Sequence, residues 1–225
     1  MNLGDDYMKE YGFVRVGAFV NKLVLANPKE NAKEIVKGIK DAYKKGVAIF
    51  STVELALTGY SCGDLFLQDK LIKDAEDSLA TILEETKKED IISIIGMPIK
   101  IDNGLFDVAV VIQKGHILGV VPKNNVCNYN GYNEARWFRN ANDLVVDKIF
   151  LVGQEIIISK FLVFKDIDNR NISFGIVFGN DLNDFDSVSS TLILNSANVI
   201  FNLASSNEIV GKCERRIRMV YEVVV

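Results

Sequence analysis

Histidine is nearly absent from this chain: its 225 residues include one, His116. That leaves little room for Ser-His-Asp or Cys-His catalysis, both of which need an imidazole to carry the proton. His116 lies in KGHILG between two apolar runs and reads as an exposed hairpin residue. Cysteine is scarce too. Cys62, Cys127 and Cys213 are odd in number, widely spaced and without a C-x-x-C pair. That suits a reducing compartment and argues against a zinc site, so no metal is expected.

Nor is there an excess of basic residues. With 26 Lys and Arg against 30 Asp and Glu the net charge is −4, and the basic footprint that nucleic acid requires is missing. No apolar run approaches the ~18 residues of a bilayer span, and MNLGDDYMKEYGF lacks the basic start and apolar stretch of a signal peptide. The chain is expected to be cytoplasmic, with neither nucleic acid nor membrane as a partner.

What remains is the composition of a soluble globular protein, 48% hydrophobic and 25% charged, with no repeat, low-complexity tract or linker. One domain over residues 1–225, with one sizeable core, is expected. FVRVGAFV at 13–20 has strand character. Then Asn27 can cap, Pro28 suits the first helical position and Gly46 suits the exit of a helix whose Ile35, Val36, Ile39, Ala42 and Tyr43 share one face. VAIFSTV, a second amphipathic helix from about Asp69 to Lys87, and IISIIGM follow. LFDVAVVIQ and ILGVV flank Lys114-Gly115 and predict a hairpin. From Asn140 to Asn171 isoleucine, valine and short charged turns alternate without sharp strand boundaries. FGIVF, NVIFNLASS and a helical, basic GKCERRIRMVYE close the chain. Alternating strands and helices with adjacent strand pairs indicate an α/β layered fold with a mixed sheet.

Polar residues stand at or just past three of these strand ends: Glu54, Lys123 and the tip Gly179-Asn180-Asp181. A carboxylate, an ammonium and a third strand end that converge at one sheet edge can do acid/base work beside a nucleophile. Charged residues follow strands in most α/β proteins, so geometry alone leaves ordinary solvated turns open.

Three strings narrow this: VELALTGYSCGDLF at 53–66, GVVPKNNVCNYNGYNEARWF at 119–138 and NLASSNEIVGK at 202–212. From about Tyr11 onward the chain resembles the glutaminase domain of glutamine-dependent NAD synthetase, in the nitrilase or carbon-nitrogen hydrolase superfamily. The resemblance implies an α-β-β-α sandwich and a Glu-Lys-Cys set that hydrolyses glutamine through a thioester, passing ammonia to a synthetase domain for NAD synthesis. It implies that Glu54 is the general base, Lys123 the oxyanion lysine and Glu134 a second glutamate that orients the site. Tyr60, Tyr129, Ser206 and Arg216 occupy positions that line the glutamine pocket in that family; Tyr60 and Tyr129 read equally well as core aromatics.

The nucleophile is where the chain departs. A cysteine followed by glutamate is expected after FGIVF, and here Gly179 and Asn180 stand instead. Val53 replaces a proline before the glutamate, Cys127 replaces another proline, and Asn183 replaces an aromatic. Glycine keeps the backbone freedom of a tight turn but cannot form a thioester.

The family's closing strands and synthetase domain are expected to be missing after Val225, leaving the sandwich incomplete at its C-terminus and a sheet edge exposed to self-association as a homo-oligomer. No S-G-G-x-D-S-like or G-x-x-x-x-G-K-[ST] loop is present. No cofactor is therefore expected on this chain; ATP and magnesium would belong to the synthetase domain. Three readings stay open: a catalytically silent glutaminase domain, an amidase that uses another nucleophile such as Cys127 or a bound metal, and a module that binds glutamine without cleaving it or docks on a complete synthetase.

Overall fold

A computed structural model describes residues 13–129, 131–166, 172–183 and 187–224. The stretch read for a targeting signal, except Phe13, lies outside the described residues, as do Tyr11, Asn171 and Val225. Each apolar run of the sequence becomes a strand, and the parity of its side chains assigns its two faces to different layers.

Strands β1 (Val16–Phe19), β2 (Ile49–Thr52), β3 (Ile92–Ile101), β4 (Gly104–Gln113) and β5 (His116–Pro122) form a five-stranded sheet in that order. The first three strands are parallel, and β3, β4 and β5 are antiparallel neighbours. Val108, Val110 and Ile112 of β4 pack with Phe50, Ile95 and the apolar faces of helices α1 (Pro28–Lys44) and α2 (Asp69–Glu85). The alternate residues Ala109 and Val111 face the other way, with Ile49, Ile94 and Val121, onto Phe174, Ile176 and Phe178.

Those three phenylalanine and isoleucine side chains belong to β9 (Ser173–Phe178), the middle strand of a second sheet. It pairs parallel with β10 (Val199–Leu203) and antiparallel with β8 (Phe164–Lys165). On its far face Val177 meets Val188, Leu192 and Ala197, from helix α3 (Val188–Leu194) and the turn after it. Helix, sheet, sheet, helix is therefore the layering, and both sheets are mixed. Helix α4 (Lys212–Val224) follows.

Several local expectations meet the structure directly. Asn27 caps α1 by accepting the Glu30 amide, with Pro28 in the first turn. Lys114 and Gly115 both have positive φ, the geometry of a type I′ hairpin. His116 is exposed. The apolar face of α1 runs through Ala32, Ile35, Val36 and Ile39, but Tyr43 is exposed rather than packed on the sheet, because the helix reaches its end there. The first strand is shorter than 13–20 and α2 stops at Glu85. Between Asn140 and Asn171 lies a hairpin of β6 (Lys148–Leu151) and β7 (Gln154–Ile157), turning at Val152 and Gly153, both with positive φ.

One glycine decides how β2 ends. Gly96 of β3 lies against the bend that follows β2: a Cβ there would sit 2.3 Å from the Val53 carbonyl oxygen and 2.8 Å from the Leu55 nitrogen. The bend is fixed from both sides. The Gly96 amide donates to Thr52 Oγ1 at 3.0 Å, Leu57 N donates to the Gly96 carbonyl, and Leu55 takes φ +52. Gly96→Ala should force this backbone away and lower stability by about 1–3 kcal/mol. A urea unfolding midpoint within error of the native one would contradict that account of the bend.

Candidate active site

The carboxyl ends of β2 and β5 place Glu54 and Lys123 at the same edge of the five-stranded sheet. Lys123 Nζ donates to Glu54 Oε1 at 2.5 Å and to Glu134 Oε1 at 2.8 Å, and all three side chains are buried. Charged groups do not survive burial without partners, so this cluster is a built feature rather than a solvated turn.

Each member is held by its own backbone. Lys123 N donates to Asp107 O, extending the β4 and β5 pairing by one residue, and Lys123 O accepts from Ala141 N. Glu54 is held at both ends: its Oε2 accepts from Ser205 N at 2.7 Å, and Ser205 Oγ donates to its carbonyl at 3.0 Å. Ser205 follows β10, so this contact joins the second sheet to the first. Glu134 opens a short 3-10 turn, Glu134–Arg136. Its Oε1 also accepts from Tyr60 Oη at 2.6 Å and its Oε2 from Cys127 N at 2.9 Å.

Asp64 grips the side chains of the last residue of this turn and of the residue after it. It accepts from Arg136 Nε and Nη2 and from Trp137 Nε1, which holds its carboxyl below the usual range. Phe66, Phe138 and Trp137 pack beneath. Asp64 and Phe66 come from the first string of the sequence and Arg136 to Phe138 from the second, so the two strings are two halves of one contact.

The electrostatics follow from the crowding. Burial alone would lower the Lys123 ammonium, but Glu54, Asp107 and Glu134 outweigh it and hold the group above its ordinary value. Burial, then the Glu134 carboxylate, push the Tyr60 hydroxyl far up, so it is a proton donor. Asp107 is fully buried beside Glu54 and is likewise pushed well above the carboxylate range. Among the described residues no group of His, Cys, Asp or Glu could hold a metal ion; Lys123 is the cation of this cluster. Nor, among the described residues, is any helix long and apolar enough to cross a membrane.

Gly179 begins the turn Gly179–Asn183 at the carboxyl end of β9. Its φ is +38, and a Cβ built there would meet nothing within 4 Å. Asp181, buried in the same turn, accepts from Phe178 N and from Asn125 N at 2.7 Å, two residues beyond Lys123. Asn202 Nδ2 reaches the Gly179 carbonyl. The turn is thus tied to the strand ends that carry Lys123 and Ser205.

Of the residues singled out in the sequence, Glu54, Lys123, Glu134 and Tyr60 meet in one hydrogen-bonded cluster. Tyr129 is about half exposed, its hydroxyl 3.9 Å from Cys127 Sγ. Ser206 and Arg216 pair with each other at 2.8 Å on the surface, where Arg216 also binds Glu208 at 2.7 Å. Sequence reading missed Ser205, Asp107 and Gly96. Asp107 had a signal, a lone acid inside the apolar run LFDVAVVIQ. Two surface hollows, both lined by Ile101, Asp102 and Val146, contain none of these residues.

No protein-family model matches the chain. The layering and mixed sheet are those of nitrilase-superfamily structures: an amidase of that superfamily from Nesterenkonia AN1 superposes with a TM-score of 0.71 at 13% identity, over 93% of this chain and 71% of the amidase. A glutamine-dependent NAD(+) synthetase from Cytophaga hutchinsonii superposes with a TM-score of 0.79 at 22% identity, over 93% of this chain and 33% of that one. In sequence, the glutamine-dependent NAD(+) synthetase of Mycobacterium tuberculosis (strain ATCC 25618 / H37Rv) is 28% identical over 207 residues, which are 92% of this chain and 30% of the relative. The chain is homologous to the glutaminase portion of glutamine-dependent NAD synthetases, and spans less than a third of the length of that relative.

Proposed function

We propose that this chain is a glutaminase-type domain of the NAD synthetase kind that binds the side-chain amide of glutamine, or a similar small amide, and does not hydrolyse it. The observation that carries the reading is the buried Glu54, Lys123 and Glu134 cluster beside a strand-end turn whose first residue is Gly179. In this reading Glu54 is the proton acceptor and Lys123 the donor to a developing oxyanion. Glu134 holds the lysine, and Tyr60 holds Glu134. With glycine at the nucleophile position no thioester forms.

Tyr129, Ser206 and Arg216 are proposed to line the approach for the amide substrate. The chain needs no cofactor in this reading; ATP and magnesium would serve a synthetase domain that receives the ammonia in the relatives, and such a domain is its proposed partner alongside further copies of the chain. Isothermal titration of the purified chain with glutamine, run beside an ammonia assay, tests the proposal. Saturable binding with no ammonia is expected. Ammonia release would overturn the assignment of Gly179 and point to another nucleophile, and absence of binding would leave the fold without its proposed ligand.

A further inference from the structure

Three carboxyl groups, Glu54, Asp107 and Glu134, surround one ammonium, Lys123, in a space closed to water. Three buried negative charges against one positive would be heavily unbalanced, so at least one of the acids is a candidate to be neutral. The hydrogen bonds identify which. Glu54 accepts at both oxygens, from Lys123 Nζ and Ser205 N. Glu134 accepts three times, from Lys123 Nζ, Tyr60 Oη and Cys127 N. Both show the pattern of carboxylates. Asp107 Oδ1 is buried and, among the described residues, accepts from no donor.

A carboxylate oxygen left bare in the interior is costly, whereas a carboxylic acid has a proton of its own to give. A proton acceptor lies alongside in Glu54, whose charge helps to push the Asp107 carboxyl up. Its place is fixed by strand register. Asp107 stands opposite Pro98 in β3 and next to Val108, which is opposite Pro122, the residue before Lys123.

We propose that Asp107 is a positioning residue that keeps its proton at neutral pH and donates it to Glu54, which fixes the Glu54 carboxylate in place and leaves it and Glu134 as the two anions that share Lys123. Burial first, then the neighbouring Glu54 charge, drive Asp107 in that direction, and Lys123 opposes it. The groups that face it are Glu54 beyond β2, Lys123 beyond β5 and Glu134 in its 3-10 turn. The inference stands whether or not the chain turns over an amide.

Infrared spectroscopy of the native protein at neutral pH, grown with and without carboxyl-13C aspartate, tests it without any substitution. A protonated carboxylic acid band that shifts with the labelled aspartate is expected. No such band, or one that ignores the label, would overturn the proposal. The second arm is thermal unfolding of the native protein and Asp107→Asn against pH. A folded-state proton affinity raised above the unfolded value near 3.9 makes the native protein lose stability as pH climbs from ~4. Asparagine keeps the donor and has no proton to lose. The variant's Tm should therefore gain on the native one by roughly 3 to 5 °C per pH unit above ~4 until the native proton is released. A difference that does not change with pH would mean a merely structural aspartate.

Discussion

Gly179→Cys is expected to convert a chain that releases no ammonia from glutamine into one that does. Deleting the nucleophile of a cooperating catalytic set costs on the order of 10⁶ in turnover where this has been measured in other hydrolases. Restoring it here would regain a part of that, on the order of 10² or more above the native background, since the groups around it are already assembled. In the proposed reading the thiol gives its proton to Glu54 while sulfur bonds to the amide carbon, Lys123 holds the oxyanion, ammonia leaves with a returned proton, and water hydrolyses the thioester. The backbone at φ +38 resists any side chain, although nothing lies within 4 Å of the new Cβ. Strain of about 1–3 kcal/mol is expected, and Tm should fall by roughly 2–4 °C for each kcal/mol. Gly179→Ala carries the same strain without the thiol, so it should match the cysteine variant in Tm and remain inactive. Adding Glu54→Gln to Gly179→Cys should abolish the gain, because an amide cannot take the proton. If a folded Gly179→Cys protein releases no more ammonia than Gly179→Ala, the missing thiol is not what silences the chain.

Much of the scaffold was legible because its signals are local. Continuous apolar runs such as FGIVF and IISIIGM mark strands buried on both faces, and Asn27, Pro28 and Gly46 bracket α1. The family strings pointed to Glu54, Lys123, Glu134 and Tyr60, and the fold brings these four together. What escaped depends on contacts across the fold. Gly96 matters because β3 lies beside the bend after β2, 42 residues earlier at Glu54, and nothing in IISIIGM says so. Ser205 rather than its neighbour Ser206 touches Glu54 because the exit from β10 turns that amide inward. Asp107 gains its role from the register of β4 against β5. The turn at Val152 was hidden by chemistry: a β-branched residue at positive φ is among the least expected, and the hairpin it closes leaves little sequence signal.

The largest loss of stability should come from Lys123→Met. Methionine fills much of the volume but leaves Glu54 and Glu134 buried with their charges uncompensated. Breaking a buried ion pair in this way costs about 3–5 kcal/mol, which for a chain of this size corresponds to a fall in Tm of roughly 6–20 °C. Neutralising the whole cluster, with Lys123→Met, Glu54→Gln and Glu134→Gln together, should recover much of that loss, because the penalty is the orphaned charge rather than the missing bond. Alkaline pH provides a check on the native protein itself. Lys123 and Tyr60 both release their protons later in the folded state than in the unfolded one. Their contribution is fully present below the ordinary values near 10 and is lost as pH rises beyond them, so the native Tm should drop in that range. The Lys123→Met protein should show a shallower drop, with Tyr60 remaining of these two groups. A single variant whose Tm stays within about 2 °C of native would mean that Lys123 does not hold the two glutamates together. The base, the lysine and the orienting glutamate would then have to be reconsidered as separate groups.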